Sequence, residues 1–152
     1  MAVKTYTPSI AEVLKKVNNA KTKDKKITVL RQNNTDALRM IIKSSFDPKI
    51  QWVLPEGQVP YKPNEAPEGT EHTLLVQEAR KLYRFIKGGD NSTPMVKKEN
   101  MFIQMLEGLH EDEAKVVCYA KDKCLHQVYK GLSHEVVKTA FNWNDDYIKK
   151  ST

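Results

Sequence analysis

Cysteine is scarce in this chain, with only Cys118 and Cys124 among 152 residues. A disulfide framework like those that staple small secreted domains is therefore excluded, and reduced thiols are expected. Long apolar runs are missing too. Nothing approaches the roughly 18 consecutive apolar residues of a membrane span, and the N-terminal MAVKTYTPSIAEV has no signal-peptide core. The expectation is a protein of the cytoplasm with no membrane contact. Glycine is sparse and none of it forms a phosphate-cradling loop, because Gly88-Gly89 follows a helical pattern instead of opening one and reads as a C-cap.

What the chain does have is helical patterning. Thr7-Pro8, or Ser9 with Glu12 three residues on, starts a first helix whose Ile10, Val13, Leu14 and Val17 share one face. Thr22 caps a second helix bearing Ile27, Val29 and Leu30. Asn33 and Asn34 break it, and a third runs through Ala37, Leu38, Ile41, Ile42 and Phe46 to Asp47-Pro48. Gly69 and Thr70 open a longer helix through Leu75, Ala79, Leu82, Tyr83 and Ile86. Thr93-Pro94 opens another, in which Met101, Phe102, Met105, Leu106 and Leu109 make the strongest apolar stripe of the chain, a core face. Glu111, Asp112 and Glu113 stand in the first turn of the next helix, where acids complement the dipole. Asp122 to Gly131 reads as a turn or short extended piece, Ser133 starts a last helix, Trp143 closes the core, and the tail beyond Asp145 frays.

Five of the seven prolines lie between Asp47 and Thr70. Each fixes φ and removes a donor, so this long connection can be neither helix nor central strand and should run extended. Trp52, Val53, Leu54, Val59 and Tyr61 make it too apolar for a solvated linker. Either Trp52 and Leu54 pin it to the helical core, or Trp52, Leu54, Pro55, Tyr61 and Pro63 present it to a partner protein.

Charge is unevenly placed. Of the net +6, residues 1–49 contribute +7, eleven Lys and Arg against four acids, and residues 50–152 contribute −1, fourteen against fifteen. Lys15, Lys16, Lys21, Lys23, Lys25, Lys26 and Arg31 are candidate phosphate contacts for DNA or RNA, or else a solvated face. Lysine predominates, which argues against specific readout.

Catalytic patterns are absent. Cys118 falls mid-helix on an apolar face, and Cys124, near Lys121, Lys123 and His126, is the one plausible reactive thiol. Cys118, Cys124, His126 and His134 match no usual closed zinc spacing. No catalytic residue, metal or cofactor is expected, although acids converging only in the fold would allow a metal-dependent hydrolase or nuclease as the alternative. Leu30–Gly57 and Leu106–Gly131 are distantly alike, a weak sign of a duplicated helical unit.

Three stretches, FDPKIQWVLPEGQVPYKPNEAP, HTLLVQEARKLYRFIKGG and KKENMFIQMLEGLHEDEAKVVCYAKDKCLHQVYKGLSHEVVKTAFNW, resemble a family of small proteins of T4-like myoviruses, especially cyanophages, catalogued as a domain of unknown function. The resemblance spans about Ser9 to Trp143. It implies a viral origin and action in an infected bacterial cell, and it transfers no catalytic residue. The expected fold is all-α, with about six short helices around a long Pro-rich extended loop, in two helical-repeat-like halves sharing one core. One domain covers residues 1–152, divided into a basic helical region (residues 1–46), the loop (47–70), a C-terminal helical region (71–143) and a tail (144–152). The expected function is a non-enzymatic accessory role, binding a phage or host protein, with nucleic acid a second candidate partner. A virion-associated structural role is the further alternative.

Overall fold

Ser9, Thr22 and Ser133 take up the capping positions their spacing predicts in the computed structural model, which describes residues 9–54, 57, 59–62, 75–145 and 147. Helix α1 (Ile10–Asn19) begins where the Ser9 hydroxyl accepts from the Glu12 amide, and α2 (Lys23–Gln32) where Thr22 accepts from Lys25, each at 3.2 Å. Thr35 does the same for α3 (Asp36–Phe46), accepting from Leu38 at 3.1 Å. These bonds satisfy amides that the first helical turn leaves without partners. The Thr7-Pro8 start and the Gly69-Thr70 start lie outside the described residues.

The longer helix expected through Ile86 does not form as one α-helix. Its described portion is a single turn, α4 (Leu75–Glu78), continued by a 3₁₀ segment (Ala79–Phe85). Ile86 then leaves the helix to make an isolated antiparallel bridge with Trp52. Gly88-Gly89 is accordingly the turn after that bridge and not a helix C-cap. Gly88 has φ +88°, and a Cβ on Gly89 would stand 2.0 Å from the Tyr83 carbonyl oxygen, so glycine is required at both.

Helix α5 (Met95–Gly108) follows a turn built on Asp90, whose carboxylate accepts from the Ser92 and Thr93 amides and hydroxyls. Those bonds hold its carboxyl well below the usual carboxylate range. Helix α6 (Glu111–Lys121) is capped by the His110 imidazole, whose Nδ1 accepts from Asp112 at 3.2 Å. Asp122–Gly131 is partly helical, not extended: Leu125–Val128 forms one turn, α7. Its buried Leu125 explains the turn, because apolar packing can order four residues that could not nucleate a helix alone. Helix α8 (His134–Phe141) ends at Asn142 in the left-handed region. Beyond it Trp143 is buried, and Tyr147, in the stretch expected to fray, is 3% exposed.

Among the described residues the fold is all-α: eight α-helices and the 3₁₀ segment, with the Trp52–Ile86 bridge isolated between them. Residues before and after the Pro-rich connection enter a single buried cluster, so the halves share one core. They do not stack as repeats. Helix α6 packs against α1, α3, α5 and α7, whereas a solenoid unit touches only its neighbours. Ala114, Val116, Val117 and Ala120 of α6 are completely buried.

One acid of the Glu111–Glu113 group goes beyond capping its own helix. Glu113 is 2% exposed, and its Oε2 accepts from the Ile10 amide of α1 at 3.3 Å. Its carboxylate thus faces the amino ends of two helices, where partial positive charge favours an anion. Glu113→Gln should keep an acceptor and cost little, while Glu113→Ala should destabilise by about 1–3 kcal/mol through the stranded buried donor. Urea denaturation of the two variants checks this.

Candidate interaction surface

The Pro-rich connection is fastened at several points. Asp47 is buried, and its carboxylate accepts from the Lys49 amide at 2.9 Å, turning the chain out of α3. The Trp52 bridge is closed by Val53 donating to the Phe85 carbonyl (2.9 Å) and Lys87 donating to the Gln51 carbonyl (2.7 Å). The half-buried Trp52 indole donates to the Ser44 carbonyl at 3.1 Å and stands edge-on to Phe102 at 6.3 Å between centroids. Leu54 is 7% exposed. Tyr61 is half-buried, with burial pushing its hydroxyl pKa up, and the neighbouring Lys62 amide donates to Glu107 at 2.8 Å. Pro55 and Pro63 lie outside the described residues.

Two lysines at the end of α6 complete the anchoring. Lys121, whose side chain is fully buried, donates to the Gly57 carbonyl (3.1 Å) and to Asp122 (2.6 Å), and Asp122 accepts the Gly57 amide at 3.2 Å. Lys123 donates to the carbonyls of Asp47 (2.6 Å) and Ile50. Its backbone has φ 55°. Cys124 donates to the Tyr119 carbonyl and Lys123 to that of Ala120, which makes a Schellman ending with lysine where glycine usually stands. Desolvation lowers the Lys123 pKa.

Between α3 and the 3₁₀ segment runs an apolar groove of about 190 Å³. Ile50, Leu82 and Ile86 line it, as does Ser44, to which Trp52 is bonded. Met40 (45% exposed) and Tyr83 (50%) also line it, together with Lys43 and Arg80. Arg84 lies over the Tyr83 ring, 5.9 Å from its centroid. A second, more polar hollow lies on the other side of the 3₁₀ segment, against Met101 and Met105. Sequence periodicity placed Tyr83 on a core face; the change from α to 3₁₀ winding turns it outward.

The basic residues of the first third are largely engaged. Lys15 pairs with Asp112 at 2.9 Å and Lys23 with Glu135. Lys26 donates to the Ala20 carbonyl, and Arg31 to those of Thr139 and Ala140. Lys16, Lys21 and Lys25 remain, exposed and without an ion pair among the described residues.

The acids and the Cys/His group are likewise dispersed. Glu111 pairs with Lys115, Asp112 with Lys15, and Glu113 with the α1 amide. Among the described residues no three His, Cys, Asp or Glu side chains gather as metal ligands. Both cysteines are half-buried and neither is in a disulfide among the described residues, and burial raises the Cys118 thiol pKa to about 11. His126 and His134 do approach each other, at 5.7 Å, around Phe46. The Tyr147 hydroxyl shares a hydrogen bond with His134 Nδ1, and the buried His126 Nδ1 has no hydrogen-bond partner among the described residues. No local spacing announced this cluster.

The comparisons with known proteins bear on the chain as a whole. Residues 13–127 match a family of unknown function, DUF6433. The chain belongs to that family. No curated protein and no solved structure matches it. Among the described residues of this DUF6433 member, no helix is long and apolar enough to cross a membrane.

Two measurements check the anchoring and the histidine cluster. Lys123→Met should lower stability by about 1.5–3 kcal/mol, the worth of hydrogen bonds to a charged group. Lys123→Gly should lose about 1 kcal/mol less, since glycine relieves the left-handed backbone. Equal losses in urea would refute the division. His134 has its pKa lowered by desolvation, then by His126 and Lys138. Its folded pKa lies below its unfolded one, so its contribution is complete above about pH 6.5 and is lost as pH falls through that value to the folded pKa. The urea midpoint should therefore drop modestly between pH 7.5 and 5, and His134→Asn should flatten that drop.

Proposed function

We propose that this protein acts by binding rather than by catalysis, as a phage-encoded accessory protein that engages a phage or host protein in the cytoplasm of the infected cell. The observation that carries the reading is the groove between α3 and the 3₁₀ segment, with Met40 and Tyr83 about half exposed beside each other. Large apolar side chains left open at a shaped groove are typical of partner contact. The Pro-rich connection supports that surface from behind: Trp52 bonds to Ser44 and bridges to Ile86, both of which line the groove. Trp52 and Leu54 thus act as supports in this reading, and Tyr61 as a flank. The viral origin rests on the sequence resemblance.

Nucleic acid is the second reading, favoured by Lys16, Lys21 and Lys25 standing exposed and without ion pairs among the described residues.

The purified protein used as bait in extracts of infected cells should retain a discrete protein, and a Met40→Asp, Tyr83→Asp double variant should lose it. Retention by that variant, with loss in Lys16→Glu, Lys21→Glu, Lys25→Glu, would transfer the function to the basic face. In that case duplex DNA affinity should fall with salt at a log-log slope no steeper than about −3, set by three phosphate contacts.

A further inference from the structure

We infer that the groove between α3 and the 3₁₀ segment docks a short acidic segment of a partner protein, one apolar side chain seated beside Met40 and Tyr83 and carboxylates held by Lys43 and Arg80. The inference rests on the binding reading above and names the chemistry of the partner.

The winding of the two walls supports it. On α3, Met40 and Lys43 are three residues apart and so neighbours on one face. In a 3₁₀ helix, residues three apart eclipse one another, so Arg80 and Tyr83 stand in one row. Each wall therefore offers the groove one exposed large apolar side chain and one cation. Tyr83 is further steadied by Arg84 over its ring, which lowers the freedom lost on binding.

Charge selects the partner. Among the described residues no acid lines the groove. The acids on the adjoining turns are already taken, Asp36 by Arg39 and Glu78 by Lys81. Lys43 and Arg80 have no ion-pair or side-chain hydrogen-bond partner among the described residues, so a carboxylate arriving there meets two uncompensated cations. Size selects it as well. At about 190 Å³ the groove is smaller than the roughly 300 Å³ lower bound of small-molecule sites. It suits one large side chain of a peptide rather than a cofactor. The lining is almost wholly apolar, which favours a protein side chain over a phosphate backbone.

The test is fluorescence anisotropy with three labelled heptapeptides at low salt: Asp-Glu-Asp-Leu-Phe-Asp-Glu, the same peptide with alanines for Leu-Phe, and the same peptide with lysines for the acids. The first should bind saturably and the others should not, with affinity falling as salt rises. Tyr83→Ala should weaken it about tenfold, a loss of about 1.4 kcal/mol. Lys43→Glu with Arg80→Glu should abolish it, and Lys16→Glu, on the far basic helices, should leave it unchanged. All four positions carry exposed or half-exposed side chains, and circular dichroism verifies that each variant keeps its helices.

Failure of the acidic peptide to bind, or binding insensitive to Tyr83→Ala and to the charge reversal, overturns the proposal. Tighter capture of a thymidine oligonucleotide at the same groove overturns it in favour of nucleic acid. A dimer in sedimentation that Tyr83→Ala dissolves overturns it in favour of a second copy of this chain. Binding of the lysine peptide alone would leave the groove an interface and remove the charge assignment. Should no peptide bind while the bait still retains a protein lost in the Met40→Asp, Tyr83→Asp variant, the binding reading stands and the acidic segment falls.

Discussion

A connection with this much proline cannot pair its own carbonyls, and buried carbonyls without donors are costly. Lys121 and Lys123, at the end of α6, supply those donors to Asp47, Ile50 and Gly57. The other end of α6 does the converse for α1, offering the Glu113 carboxylate to an amide that its own helix cannot satisfy. Helix α6 is thus the reference to which both the first helix and the long connection are tied, and its apolar face, with Ala114, Val117 and Ala120 wholly buried, lets neighbours approach closely. Lys123 adopts a backbone conformation that disfavours side chains because its ammonium is needed where a glycine would have nothing to reach with.

This anchoring shapes the candidate surface. With Gln51–Val53 pinned against Phe85–Lys87, the 3₁₀ segment is held at both ends, by α4 before it and the bridge after it. Its tighter winding then aligns Arg80 with Tyr83 instead of spreading them around an α-helix. An apolar lining with Lys43 and Arg80 at it, and no acid among the described residues, follows from the same constraint, since Asp36 and Glu78 beside the groove are held by Arg39 and Lys81.

Much of the helical content was legible in the residues. Ser9, Thr22 and Ser133 capped the helices they were read as capping, and the stripes Val13-Leu14-Val17, Ile41-Ile42-Phe46 and Phe102-Met105-Leu106 proved to be core. The errors share a cause. Leu75 to Ile86 has helical apolar spacing, yet a bridge to Trp52, distant in sequence, draws Ile86 out and tightens the preceding turns. Asp122 to Gly131 reads as a turn, yet burial of Leu125 makes four of its residues helical. Tyr147 follows the last capped helix and looks like tail, but its hydroxyl finds His134.

The sequence by itself determined the all-α class, the helix starts at Ser9, Thr22 and Ser133, and the exclusion of helix from the described part of the Pro-rich connection. Caps, apolar periodicity and proline act within a few residues, so they can be read along the chain. Only the tertiary structure decided which cations remain available and which are spent, since Lys15, Lys23 and Arg31 are taken by groups about a hundred residues away. It also decided that Glu113 serves a helix other than its own and that Tyr83 faces outward. Those outcomes depend on which surfaces meet when the helices pack, and no spacing within one helix encodes the partner that another helix will bring to it.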